Sequence, residues 1–133
     1  MICLDTTYLV DLWRNRLDPD HAAVVLLARH GGEVFAVPAS SAGEFLEGAA
    51  SISEQRLQES LAFLRMFELG TITVDTAVVY ARIVADLRRR GLLAGSSRAD
   101  LWNAAYAMER RASLVTRNVK HFAKVSGLQL IAY

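Results

Sequence analysis

The chain has 133 residues, 53% of them hydrophobic and 22% charged, with a formal net charge of +1 at pH 7. This length predicts one domain over residues 1–133, large enough to bury about two-thirds of the unfolded chain's surface without disulfides. No apolar run approaches the roughly 18 residues of a membrane span, and no signal peptide is apparent. The single cysteine, Cys3, has no partner for an internal disulfide, so we expect a reducing, cytoplasmic setting without membrane association.

The positive charge is unusual in kind, because 13 of the 15 basic residues are arginine. Arginine binds phosphate through paired hydrogen bonds and stacks on nucleobases, which favours a nucleic-acid partner. A genome rich in G and C also enriches arginine codons, so composition alone leaves both explanations open.

The first stretch organises the rest of the chain. Residues 1–4 are a short apolar run bounded by Asp5, which predicts a buried strand, and helix-forming sequence follows over residues 8–13. Ligands of open α/β sheets bind at the carboxyl ends of the strands, so Asp5 lies where a site is expected. Asp is also a favoured helix N-cap, and taken alone that structural role is the better explanation of Asp5.

Three further elements are predicted in the next part of the chain. Asp18 is placed as the N-cap of a helix, and residues 34–37 form a short strand. Ser41 and Glu44 have the spacing of a capping box, which predicts a helix that opens at Ser41. Residues 53–67 form an amphipathic helix, because apolar residues recur on one face with charged residues between them.

The second half of the chain continues this alternation. Residues 71–74 are strand-like, and Asp75 is placed as the cap of a long helix that runs to Arg90. Ser97 opens a further helix over residues 98–111, whose middle is apolar nearly all round and should be deeply packed. The last predicted elements are a strand over 114–116, a helical turn over 118–124 and a strand over 128–131.

The alternation of strands with helices predicts a mostly parallel sheet covered by helices on both faces. Two or more helices separate some of the strands, which favours a three-layer α/β/α architecture over a closed barrel. We expect a sheet of about four or five strands.

Polar residues recur where predicted strands end and predicted helices begin. Strand ends and first helical turns converge on one rim of a parallel sheet, where gathered carboxylates repel one another unless a cation binds. Hard oxygen ligands suit Mg²⁺ or Mn²⁺, and such a site can serve phosphodiester hydrolysis. The residues at these places are Asp5, Glu44, Asp100 and Thr116, with Asn118 and His121 just beyond.

A structural explanation competes for two of these acids. In a capping box the acid reaches back to the backbone amide of its own N-cap residue, which is Ser41 for Glu44 and Ser97 for Asp100. One carboxylate cannot serve fully as both cap and metal ligand. For each acid taken singly, the cap is the simpler explanation.

Four short motifs, taken together, resemble the PIN-domain ribonucleases of the VapC toxin type. They are ICLDTT at residues 2–7, PASSAGE at 38–44, DLWNAAYA at 100–107 and LVTRNVKHF at 114–122. None of these motifs is specific alone, but their order and spacing extend the resemblance over essentially the whole chain. It implies a PIN-like fold and a Mg²⁺- or Mn²⁺-dependent endoribonuclease that is the toxin of a toxin–antitoxin pair.

The same resemblance assigns roles to the acids. Asp5, Glu44 and Asp100 match three family acids that bind the metal ion, and Thr116 matches the polar residue that accompanies them. The resemblance also implies an RNA substrate, a cognate VapB-type antitoxin that lies across the active-site groove, and a homodimer.

Two positions depart from the family pattern. His121 stands where the family usually has a fourth acid, and because imidazole is a softer ligand than carboxylate we expect it at the edge of the site and weaker Mg²⁺ binding. Asn103 replaces a usual aliphatic residue. It lies one helical turn from Asp100, and either orients that carboxylate or is a core amide.

Other functions remain open at this level. Arg98 and Arg117 flank the predicted site in sequence, and either bind RNA phosphates or are solvent-exposed. A degenerate PIN module that binds RNA or a protein partner without cutting is the main alternative, and His121 favours it. A small phosphoryl-transfer domain is disfavoured, because the chain has no glycine-rich phosphate loop. The sequence does not name the RNA that is cut.

Overall fold

Five strands form one sheet in the computed structural model, which describes residues 1–133. In chain order the strands are β1 (Ile2–Leu4), β2 (Phe35–Pro38), β3 (Glu68–Gly70), β4 (Ser113–Val115) and β5 (Leu130–Ile131). The helices are α1 (Thr6–Asn15), α2 (Ala22–Arg29), α3 (Ala39–Ala50), α4 (Glu54–Leu64), α5 (Val74–Arg89), α6 (Arg98–Glu109) and α7 (Val119–Phe122). None of them combines the length and the hydropathy that crossing a bilayer requires.

Neighbouring strands all pair in parallel, in the order β3-β2-β1-β4-β5. The chain builds β2 and β3 on one side of the central β1, and then returns to add β4 and β5 on the other. The order therefore reverses between β1 and β4, and ligands of open α/β sheets bind at the carboxyl ends of strands at such a switch point. Asp5 directly follows β1, and Thr116 directly follows β4.

The residues of β1 divide the core between the two faces of the sheet. Ile2 and Leu4 pack on one face with Tyr8 of α1, whereas Cys3 packs on the other face with Tyr106 of α6. Side chains alternate along a strand, so a strand buried throughout needs cover on both faces. Burial also raises the pKa of the Cys3 thiol to about 12, which suits a packing residue and not a nucleophile. The predicted three-layer α/β/α fold is confirmed.

A close contact at Gly70 holds the edge strand β3 against α6. A Cβ atom at Gly70 would lie 1.7 Å from Oη of Tyr106, so only glycine lets the phenol pack there. Arg110 lies over the same ring at 3.7 Å and donates a hydrogen bond to the carbonyl of Thr71 at 3.1 Å. These contacts add to the three-residue pairing that joins β3 to β2.

The predicted start of the second helix is wrong. This helix, α2, begins at Ala22, and its N-cap is His21, whose Nδ1 accepts a hydrogen bond from the backbone of Ala23 at 3.2 Å. Asp18 accepts from the backbone of Asp20 at 3.0 Å and so closes a local turn before the helix. Asp favours such turns as strongly as helix caps, and the sequence pattern does not separate the two.

The predicted helix start at Ser41 is also wrong. Helix α3 begins at Ala39, directly after Pro38, so Ser41 lies inside the helix and is fully buried. Proline fixes its own φ near the helical value, which allows the helix to start without a capping side chain. Glu44 consequently lies one turn further into the helix than predicted.

The strand predicted over residues 71–74 is wrong, because the strand in this region is β3. Thr73 and Thr76 form the reciprocal capping box that starts α5, and Asp75 is therefore not the cap. Threonine suits both a strand and a helix cap, and here the hydroxyl contacts to the backbone take the chain out of the sheet.

Candidate active site

Asp5 lies at the switch point of the sheet and is only 2% exposed. Its Oδ1 accepts a hydrogen bond from Asn103 Nδ2 at 3.0 Å. Its Oδ2 accepts from Thr7 Oγ1 at 2.9 Å and from Thr116 Oγ1 at 2.8 Å. Asp5 is the N-cap residue of α1, but its side chain makes no capping hydrogen bond. The capping explanation of this side chain is therefore wrong, because the carboxylate bonds to three neutral donors instead.

Asn103 connects α6 to Asp5. The residue is fully buried, and while its Nδ2 donates to Asp5, its Oδ1 accepts a hydrogen bond from Ser40 Oγ in the first turn of α3. Both ends of the amide are occupied, so the side chain cannot rotate without breaking one of these bonds. Of the two alternatives for Asn103, orientation of Asp100 is wrong, since the amide bonds to Asp5, and the residue is a buried amide with both ends satisfied.

The other two predicted acids lie on different helices. Glu44 Oε2 accepts a hydrogen bond from Thr6 Oγ1 at 2.8 Å. The backbone N–H of Asp100 donates to Ser97 Oγ at 3.4 Å, as predicted for the N-cap of α6, whereas Asp100 Oδ2 lies 3.4 Å from His121 Nδ1. Neither carboxylate completes a capping box, so the capping explanation of both side chains is wrong.

The charges of the other two acids act on Asp100. Burial raises the pKa of Asp100, and the negative charges of Asp5 and Glu44 raise it further. A hydrogen bond to His121 and the charge of that imidazole act in the opposite direction. The fold thus brings Asp5, Glu44 and Asp100 into one electrostatic field, and it places His121 at the edge of that field.

This set of donors fits a hard divalent cation in its chemistry. Carboxylate and hydroxyl oxygens are the ligands that Mg²⁺ and Mn²⁺ prefer, and the basic side chain within ion-pairing distance of these acids is the imidazole of His121. The acids do not form a ready-made cage, because no three His, Cys, Asp or Glu groups lie close enough together to hold a metal ion. Such a spread is expected of like charges that repel one another.

Thr116 closes the rim of the site from the side of β4. Its fully buried hydroxyl donates to Asp5 and accepts from the backbone N–H of Asn118 at 3.0 Å. Asn118 therefore acts through its backbone, and its side chain makes no capping bond on α7. Thr7 Oγ1 lies 3.4 Å from Thr116 Oγ1 and accepts from the backbone N–H of Arg117 at 3.2 Å, which joins α1 to this rim.

The two arginines predicted to bind RNA have different surroundings. Arg98 is exposed at the first residue of α6. Arg117 directs Nη1 to both oxygens of the buried Asp11, at 3.1 and 3.0 Å, although its side chain is 61% exposed. Tyr133 donates to the same carboxylate at 2.8 Å, and its own burial together with this carboxylate raises the pKa of the phenol. The Asp11 cluster of Asp11, Arg117 and Tyr133 holds the C-terminal residue against α1.

The sequence pattern did not reveal every group that the site uses. The two threonines that directly follow Asp5 carry a usable signal, because hydroxyls at a strand end can donate to a neighbouring carboxylate. Nothing in the sequence marks Ser40, whose partner Asn103 lies 63 residues away. Asp11, on α1, looks in sequence like an ordinary solvent-exposed helix residue. The groups concerned are Thr6, Thr7, Ser40 and Asp11.

With this geometry established, comparison with known proteins identifies the family. The PIN domain matches residues 2–128. The chain belongs to the PIN-domain family. Ribonuclease VapC1 of Methanocaldococcus jannaschii is 31% identical to this PIN domain over 133 residues, which cover 99% of this chain and 86% of that relative. Ribonuclease VapC1 of Rickettsia felis is 26% identical over 98% of this chain and 94% of that relative. The resemblance to VapC-type PIN domains is confirmed.

Solved structures agree with this PIN-domain fold over whole chains. VapBC2 from Rickettsia felis, solved bound to a promoter DNA fragment, matches this chain with a TM-score of 0.81 and 27% sequence identity. The match covers 100% of this chain and 99% of that chain. VapBC-1 from nontypeable Haemophilus influenzae matches with a TM-score of 0.82 and 22% identity, over 99% of this chain and 98% of that chain. The second match supports the fold alone, because its sequence identity is low.

Proposed function

We propose that this PIN domain is a metal-dependent endoribonuclease and the toxin component of a toxin–antitoxin pair. The observation that carries the proposal is the buried carboxylate of Asp5, which neutral donors hold within the field of Glu44 and Asp100. A buried acid without a cationic partner is costly unless a cation reaches it, which suits a metal site. The ribonuclease relatives support RNA as the substrate.

In this proposal Asp5, Glu44 and Asp100 hold Mg²⁺ or Mn²⁺. A bound ion would supply an acidified, oriented water and would offset negative charge on the phosphoryl and leaving oxygens. The chain's own contribution is to keep the acids in place. Asn103 and Thr116 hold both oxygens of Asp5, so this carboxylate is oriented before any ligand arrives.

The residues around the acids set metal preference and RNA contact. His121 adds no negative charge beside Asp100, and because imidazole suits Mn²⁺ better than Mg²⁺, Mn²⁺ should support cleavage at the lower concentration. Arg98 and Arg117 are proposed to bind phosphates next to the cleaved bond. Arg117 contacts Asp11 through Nη1, which leaves Nε and Nη2 for an RNA phosphate.

The proposal extends to partners and setting. We propose that residues 1–133 act as a single domain in the cytoplasm, that a VapB-type antitoxin silences the enzyme by covering the active-site groove, and that two copies form a homodimer. The VapBC2 complex among the structural relatives supports an antitoxin partner.

Cleavage of a structured RNA by the purified protein, with Mg²⁺, with Mn²⁺ or with a chelator, tests this function. We expect cleavage with either ion and none with the chelator. Glu44→Gln should abolish cleavage, whereas Glu47→Gln should not, because Glu47 is exposed one turn further along the same helix. Mg²⁺ should also raise the melting temperature, since a ligand that binds only the folded state stabilises it by mass action.

Two results would contradict the proposal in different ways. RNA binding without cleavage in either ion would identify the non-cutting PIN module that His121 favours. If neither ion changes the melting temperature, the proposal of a metal site is wrong.

A further inference from the structure

A group of mostly exposed cations lies at the end of α5 and on or directly after α7, the helix that carries His121. They come from the C-terminal end of α5 and from the region of α7, two elements that are separate in sequence. We call this group the basic surface, and it consists of Arg88, Arg89, Arg90, Lys120 and Lys124.

Contacts join the end of α5 to the segment that follows α7, and α7 itself contacts the active site through His121. Arg90 Nη2 donates to the backbone carbonyl of Lys124 at 2.5 Å, and Lys124 Nζ donates to the carbonyl of Leu92 at 3.3 Å, so the end of α5 is tied to the segment that follows α7. His121 of α7 lies 3.4 Å from Asp100. Lys120 and Lys124 therefore lie within three residues of the side chain that contacts Asp100, and Arg90 is attached beside them.

The positive charge of this surface is only partly offset. Asp86 is the acid that pairs with it, through Arg89 at 2.5 Å and Arg90 at 2.7 Å. Arg88 and Lys120 are both exposed and form no ion pair within 4.0 Å. Arginines at the end of α5 also offset the negative end of its helix dipole, but this does not account for cations on a second element.

We propose that the basic surface binds the phosphate backbone of the RNA strand next to the active site, an inference that rests on the proposed ribonuclease function. The three acids repel phosphate, so a strand that reaches them gains affinity from cations nearby. Exposed arginine and lysine bind phosphate groups without reading bases, through release of the counterions that surround the RNA.

RNA binding without divalent metal separates this surface from catalysis. The variant Arg88→Gln/Lys120→Gln removes the two cations without ion pairs. Its matched control is Arg29→Gln/Arg65→Gln, which removes two exposed arginines that precede β2 and β3 and so lie toward the opposite end of the sheet. Fluorescence anisotropy in EDTA, over a range of salt concentrations, measures binding of a single-stranded RNA of about 20 nucleotides.

We expect the first variant to bind this RNA roughly 3- to 10-fold more weakly near 0.1 M salt, with the slope of log affinity against log salt reduced by about 1.4. The control should bind like the parent protein. An equal loss in both variants, or no loss in either, would overturn the proposal. Displacement of the RNA by poly-glutamate as readily as by unlabelled RNA would also overturn it, because the surface would then favour an acidic protein.

Cleavage kinetics distinguish failure of this inference from failure of the proposed function. With Mn²⁺, the first variant should show a KM raised about 5-fold for the long RNA and an unchanged kcat. An RNA of about 4 nucleotides, which fills only the active site, should be cleaved equally by parent and variant. If the parent protein cleaves both RNAs and the variant matches it on the long one, the basic surface is not used. If the parent cleaves neither RNA, the ribonuclease function itself fails.

Discussion

Two buried aspartates that lie six residues apart in sequence have opposite surroundings. Asp5, at the start of α1, accepts hydrogen bonds from neutral donors and lies in the field of further acids. Asp11, within α1, is 8% exposed and is paired through both oxygens with Arg117 and through one with Tyr133. The same residue type thus has its charge offset by a cationic side chain in one place and is held by neutral donors alone in the other.

This difference distinguishes a candidate active-site residue, Asp5, from a residue that stabilises the fold, Asp11. Burying a carboxylate costs several kcal/mol unless it is paired, so the Asp11 cluster completes its own charge balance and serves the fold. The neutral donors around Asp5 hold the side chain but leave its charge, which is the arrangement a cation can use. Thr7 connects the two regions, since its hydroxyl donates to Asp5 and accepts from the backbone of Arg117.

Replacing each aspartate separately by asparagine tests this difference, and the largest effect is expected at Asp5. Asp5→Asn should lower RNA cleavage by about 10³-fold or more, because the carboxylate proposed to hold the metal is lost, and it should not lower the melting temperature. Cleavage assays and thermal denaturation followed by circular dichroism measure the two effects. Near-normal cleavage by a folded Asp5→Asn protein would remove Asp5 from the site.

The support of Asp5 by Asn103 gives the next largest effect. Asn103→Leu restores the aliphatic residue usual in the family, but it leaves Asp5 Oδ1 without its donor. We expect a 10- to 100-fold loss of activity and weaker Mn²⁺ binding by calorimetry, of the order seen when a group that orients a metal ligand is removed.

The control for this effect is Ser40→Ala, which removes the second anchor of the amide and should give a smaller loss in the same direction. Unchanged Mn²⁺ affinity in Asn103→Leu would mean that Asn103 is only a core amide. A drop in the melting temperature without a change in metal binding would lead to the same conclusion.

Breaking the Asp11 cluster should produce the opposite pattern. Asp11→Asn should destabilise the protein by about 1–2 kcal/mol, less than a fully buried ion pair because Arg117 is 61% exposed. This corresponds to a melting temperature lower by roughly 3–8 °C, with kcat for RNA cleavage retained. Tyr133→Phe removes only a phenol hydrogen bond and should cost about 1 kcal/mol or less. A large loss of kcat in Asp11→Asn, with stability unchanged, would show that the two regions are not separate.

The smallest effect concerns the pH dependence of stability. The pKa of Asp100 is raised in the folded protein, so the folded state binds this proton more tightly than the unfolded chain. Its contribution therefore favours folding at low pH and is lost as pH rises from the ordinary carboxyl pKa of 3.8 through the raised value. Asp100→Asn should remove that loss and raise the metal-free melting temperature at pH 7 by about 1–2 °C.

Thermal denaturation in EDTA between pH 4 and 7 measures this difference. Because the Asp100 carboxylate makes no capping bond on α6, no helix-cap loss should mask the gain. A lower melting temperature for Asp100→Asn at pH 7 would show that its contact with His121 outweighs the repulsion from Asp5 and Glu44.

The sequence by itself determined the architecture and the elements that carry the acids, although not the depth of Glu44 in its helix. Apolar runs that alternate with amphipathic segments predict a parallel sheet with two covered faces, and an acid that follows a strand or starts a helix then lies near one rim. The N-cap at Ser97 was also predictable, because its hydroxyl bonds to a backbone amide three residues away. Each of these features depends on local pattern, which the order of residues records directly.

Only the tertiary structure decided which polar groups meet. Asn103 bonds to Asp5 across 98 residues, and Arg117 pairs with Asp11 across 106 residues. The start of α3 at Ala39 likewise depended on where β2 ends in the sheet. The spacing of apolar residues indicates which face of a helix is buried. A hydrogen bond between distant segments depends, in addition, on how each helix is rotated about its axis when the helices pack. The packed core sets that rotation, and it made one aspartate a candidate metal ligand and the other a partner of arginine.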